Sequence, residues 1–103
     1  MKEVKAVIQP FKVEAVIEAL HRIGNLPSVV ISPAQAVDVQ HEQHTHVTKS
    51  KIELMVPDAM VEAVVSAIAA AAHTGVVGDG RIFVIPIDET VLIRTGERGD
   101  AAR

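Results

Sequence analysis

The chain has no cysteine, no tryptophan and no tyrosine, and Phe11 and Phe83 are its only aromatic residues. Without cysteine there are no disulfides, no thiolate metal ligands and no cysteine nucleophile. There is no secretory leader pattern either, so a cytoplasmic protein is expected. The scarcity of aromatics removes the stacking platforms that single-stranded nucleic acids need. A net charge of −3 offers no basic footprint for a phosphate backbone. No apolar run reaches the roughly 18 residues that a membrane-spanning helix requires. What is present is aliphatic: 49% of 103 residues are hydrophobic, most of them Val, Ile, Leu and Ala. One domain is expected from this length. A chain this short buries only about two thirds of its unfolded surface, so its light core gains from oligomerisation.

Periodicity gives the elements. Val4, Ala6 and Ile8 alternate with Glu3, Lys5 and Val7, which predicts a strand. Pro10 ends it. Val13, Val16, Ile17 and Leu20 recur at helical spacing up to Gly24-Asn25. Val29–Ile31 begins a second strand, which Pro33 confines to an edge or a bulge. His41–Thr48 is polar and reads as an exposed loop or hairpin tip, and Lys49–Val56 as a third strand that pairs with the second. Pro57-Asp58 opens a second helix with Val61, Val64, Val65, Ile68 and Ala72 inward. Arg81–Ile87 is a fourth strand, and Thr90–Arg94 suggests a short fifth. Residues 1–95 form the single expected domain, and 96–103 a polar, mobile tail.

One internal repeat organises these elements. VEAVIEAL at 13–20 returns as VEAVVSAI at 61–68, an offset of 48 with five of eight positions identical. Each copy follows a strand that ends at a proline and leads to another strand. Two β-α-β units predict an α+β, ferredoxin-like βαββαβ sandwich with both helices on one face of an antiparallel sheet. Val7, Met55 and Ile82 are expected on the other face, which is then covered by other subunits.

Two stretches carry chemistry. His73–Phe83 reads HTGVVGDGRIF. Its glycines free the backbone, Asp79 is a turn residue, and Arg81 follows, a combination suited to an anion such as phosphate. The plain alternative is an αβ loop after a helix C-cap. The spacing is neither G-x-G-x-x-G nor a Walker A loop. The second stretch is His41-Glu42-Gln43-His44-Thr45-His46. His41, His44 and His46 are candidate ligands for Zn or Cu, against the plain alternative of a polar loop tip. Catalysis is not expected. There is no cysteine or Ser-His-Asp order, and Asp38, Glu42 and Asp79 lie in separate segments.

The N-terminal MKEVKAVIQPFKVEAVIEAL, SKIEL, HTGVVGDGRIFVIPI and VLIRTGERG together resemble the P-II nitrogen-regulatory signalling proteins. The resemblance covers most of the chain except 25–48. It implies a homotrimer of ferredoxin-like subunits with sheets facing inward, and adenine nucleotides (ADP, AMP or ATP) in the clefts between subunits. It places nucleotide contacts at Thr74, Gly75, Val76, Gly78, Asp79, Gly80 and Arg81, with Arg94 as a further cation and Lys49 at the foot of the signalling loop. Family members are regulators rather than enzymes, and their targets are transporters, enzymes or other regulators.

The departures from the family pattern bear on function. Val76 and Leu92 stand where the family usually has basic residues. A charge-assisted hydrogen bond contributes about 1.5–3 kcal/mol, so losing two weakens a triphosphate by several orders of magnitude. ADP, AMP or another small anion is therefore expected to compete better than in typical members. The signalling loop is shorter than usual by about nine residues on this resemblance and has no tyrosine to modify. Gln40 and Gln43 both stand near the family glutamine that helps hold Mg²⁺ and 2-oxoglutarate, and the resemblance does not choose between them. The chain is similar to divergent members associated with transporters and heavy-metal efflux pumps, which keeps a metal sensor using the histidine loop as the second reading.

Overall fold

A computed structural model describes residues 1–40 and 42–99. It contains β1 (Lys2–Ile8), α1 (Val13–Ile23), β2 (Val30–Val37), β3 (His46–Val56), α2 (Val61–Ala72) and β4 (Gly80–Pro86). A 3-10 turn precedes each helix, Pro10–Lys12 before α1 and Asp58–Met60 before α2. The sheet is fully antiparallel, in the order β2-β3-β1-β4. This is the ferredoxin-like arrangement. The helices pack on each other and on one face of the sheet.

Alternation dictates the core. Val4, Ala6 and Ile8 of β1 and Ile52, Leu54 and Val56 of β3 are buried against Val16 and Leu20 of α1 and Val64, Ile68 and Ala72 of α2. The register pairs Val4 with Leu54 and Ala6 with Ile52, so the two central strands present one continuous aliphatic surface. Each side chain of this kind contributes about 1.5–3 kcal/mol on full burial.

β2 is an edge strand and runs straight through Pro33, which pairs with Ser50. That is the position a strand proline tolerates. Three sequence expectations need correction. First, His46–Thr48 belongs to β3 rather than to a loop, because Val37, Ala36 and Gln35 pair with them. Second, Thr90–Arg94 adds no strand to the sheet. Val91 bridges Arg98 instead, in a small hairpin held by Leu92 N–H to Glu97 O (2.8 Å) and Gly96 N–H to Leu92 O (2.7 Å). Third, Ile82 lies on the helix face, since it pairs with fully buried Ala6.

The open face is consequently less apolar than expected. Its centre is ionic: Lys5 stands directly opposite Glu53, Glu3 lies 3.8 Å from Lys5, and Lys51 lies 3.7 Å from Glu53. Val7, Met55, Phe83 and Ile85 share this face, and Phe83 and Met55 remain 44% and 38% exposed. No helix among the described residues is long and apolar enough to cross a membrane.

Candidate functional site

The glycine loop connects α2 to β4 and is shaped by one carboxylate. The helix stops at His73, whose backbone is extended (φ −69°, ψ 131°). The chain then curls back so that Asp79 accepts hydrogen bonds from Thr74 N–H (2.7 Å), from Gly75 N–H (2.9 Å) and from the Thr74 hydroxyl. Thr74 Oγ1 in turn accepts from Val76 N–H at 3.2 Å, and Asp79 N–H donates to Val76 O at 3.3 Å. The hydroxyl bond from Thr74, then its N–H and that of Gly75, hold the Asp79 carboxyl down to about 2. Asp79 is therefore ionised throughout the neutral range.

Lys49 fixes the other flank. It is buried in β3, 8% exposed, and its ammonium donates to Gly78 O at 2.6 Å. Such a bond from a charged donor is stronger than an amide–amide bond. Gln9, at the end of β1, also lies against Gly78: a Cβ added there would stand 3.3 Å from Gln9 Nε2 and 3.6 Å from Lys49 Nζ. The N–H groups of Val77 and Gly78 have no partner among the described residues. A cleft of about 260 Å³ runs beneath the loop, lined by Ile8, Ala72, His73, Asp79 and Arg81 among others.

The residues singled out in the sequence thus divide into groups. Thr74, Gly75, Val76 and Asp79 form one hydrogen-bonded unit, and Lys49 and Gly78 form a second beside it. Gly80 and Arg81 begin β4, with Arg81 opposite Val7. Arg94 is apart, at the turn of the C-terminal hairpin, whose backbone hydrogen bonds among the described residues are all internal. Gln9 was missed by sequence reasoning. Its only signal is its place after Ile8, which pairs with Gly80 at the loop's exit.

Among the described residues, the histidine stretch does not gather into a metal centre. His46 is a β3 residue paired with Val37, and its Nδ1 lies 2.9 Å from Gln35 Oε1. His44 sits in the turn at φ 42°, and His41 lies outside the described residues. Among those residues no three His, Cys, Asp or Glu side chains are grouped to hold a metal ion. Holding exposed His46 in a strand pairing with Val37, rather than leaving it at a tip, sets it apart from the turn that carries His44.

Comparison with known proteins agrees with this architecture. The profile of the family described as Nitrogen regulatory protein P-II matches residues 1–97. Nitrogen regulatory protein P-II of Azospirillum brasilense is 42% identical, and that of Rhodospirillum rubrum 44%, each covering 99% of both chains. Both alignments run over 113 positions against a chain of 103 residues, as a shortened segment requires. The crystal structure of Arabidopsis thaliana PII bound to citrate superposes with a TM-score of 0.86 at 35% identity, covering 99% of this chain and 91% of that one. With the fold, the glycine loop and the full-length match in accord, this chain belongs to the P-II nitrogen regulatory protein family.

Proposed function

We propose that the chain is a cytoplasmic homotrimeric regulator. In this reading it binds an adenine nucleotide or a similar small anion between subunits and alters the activity of a protein target, a transporter, efflux pump or enzyme. The observation that carries the reading is the junction of Lys49 with the glycine loop. The buried Lys49 touches Gly78 O beside two N–H groups that have no partner among the described residues, an arrangement that attracts a phosphate or carboxylate. Arg94 lies on a separate hairpin of the same chain, so it joins such a site most simply from a neighbouring copy. The open sheet face, with Phe83, Ile85 and Met55 uncovered, supplies the surface for that assembly.

The regulator has no catalytic part to play in this reading. The relative from Arabidopsis was crystallised with citrate, a small polyanion of the class expected here. Val76 and Leu92 leave two fewer cations for a triphosphate, so ADP and AMP should bind with affinities closer to that of ATP than two further cations would allow.

Native mass spectrometry with added ATP or ADP tests the proposal. A trimer carrying up to three nucleotides is the expected result. A monomer, or a trimer that takes up neither nucleotide, overturns it. Calorimetry then ranks the nucleotides, and a large preference for ATP over ADP would contradict the part assigned to Val76 and Leu92.

A further inference from the structure

Three successive N–H groups, those of Thr74, Gly75 and Val76, turn toward the inside of the glycine loop. Two end on the Asp79 carboxylate and the third on Thr74 Oγ1, whose own proton also goes to Asp79. A carboxylate gripped by two amides and a hydroxyl stands where a bound anion would stand in a cradle of this kind. The inner cradle is therefore already filled. The next two N–H groups, of Val77 and Gly78, have no partner among the described residues, and Gly78 is the residue whose carbonyl Lys49 holds.

We propose that Asp79 is a positioning residue: it fills the loop's inner amide cradle as a built-in anion, so that an incoming phosphate or carboxylate is taken only at Val77 and Gly78, beside Lys49. The proposal rests on the small-anion reading above. It assigns Asp79 no contact with the ligand. The carboxylate excludes a second anion from the inner cradle by like charge and by occupying the donors. It also closes the ring from Thr74 to Asp79, and Lys49 pins Gly78 from the other side. The two unpartnered amides thus lie between two fixed points and need little ordering when an anion arrives. The carboxyl held near 2 keeps this arrangement intact at neutral pH.

The test is amide NMR on the full-length chain, wild type and Asp79→Asn, titrated with inorganic phosphate and separately with ADP. In the wild type both anions should move the Val77 and Gly78 amide signals and leave those of Thr74 and Gly75 nearly still. In Asp79→Asn without ligand, the Thr74 and Gly75 signals should move and exchange faster with solvent. Phosphate should then reach them, and ADP affinity should fall about tenfold. Thr74→Val keeps the carboxylate and its two amide bonds but releases the Val76 N–H. Phosphate should then shift Val76, as it does not in the wild type. This second variant decides the matter if Asp79→Asn fails to fold.

The proposal is overturned if wild-type Thr74 and Gly75 respond most to added anion, or if the ligand-free variants leave the loop signals in place. A wild type that answers phosphate at Val77 and Gly78 but ignores ADP overturns the nucleotide reading and supports the assignment to Asp79. No response to either anion at these two amides overturns both.

Discussion

The two β-α-β halves share a helix sequence but leave their helices in opposite ways. α1 ends at Gly24 (φ 76°, ψ 161°) and runs through Asn25, Leu26 and Pro27 beside an apolar hollow of about 400 Å³. α2 ends at extended His73 and enters a loop closed by Asp79 and pinned by Lys49. Space differs as sharply as charge. A Cβ on Gly24 would meet nothing within 4 Å, whereas a Cβ on Gly80 would stand 1.8 Å from Val7 O. The repeated helices are interchangeable parts of one core, and the connection after the second has become the site.

The largest effect expected from this contrast is at Gly80. Gly80→Ala forces a side chain into the β1 backbone at φ 102° and should cost more than about 4 kcal/mol or prevent folding. Urea unfolding at fixed protein concentration measures it. If the repeat is a real equivalence in packing, Leu20→Ala and Ile68→Ala, which are 48 positions apart and both buried, should each cost about 2–5 kcal/mol. The two losses should agree to within about 1 kcal/mol. A large disagreement would mean that one half dominates the core.

Gly24→Ala should cost less, about 1–3 kcal/mol, from backbone conformation alone, and should leave anion binding unchanged. The smallest effect concerns acid. The depressed Asp79 carboxyl contributes stability that is present above its ordinary value near ~4 and is lost as pH falls toward about 2. Carbon NMR should place its midpoint near 2, with the Thr74 and Gly75 amides moving together with it. A midpoint near 4 would break the contrast between the two helix exits.

Much of the fold was legible because burial repeats at fixed periods. Val4, Ala6 and Ile8 alternate, and Val64, Ile68 and Ala72 recur by fours; both rows are buried as that spacing predicts. The errors fell where the period is short or broken. Ile82 sits in a strand whose face is set by its register with Ala6 rather than by its own neighbours. His46 and Thr48 look like loop residues by polarity, but they complete an edge pairing with Val37 and Gln35. At the site, TGVVGDGR identified the loop. The division of labour inside it did not follow from residue type, because Asp79 and the amides form a closed hydrogen-bonded ring that only the folded path of the chain brings together.

By itself, the sequence determined the two β-α-β units, the aliphatic core, the absence of cysteine chemistry and the place of the glycine loop. These follow from local periodicity and composition, which act over a few residues. Tertiary structure decided the rest. It placed Lys49 on Gly78, 29 residues away, set Gln9 against the same glycine, gave the open face an ionic centre, and kept Arg94 on a hairpin of its own. Those contacts depend on strand register and chain reversal, and a one-residue slip in register sends every side chain of a strand to the opposite face.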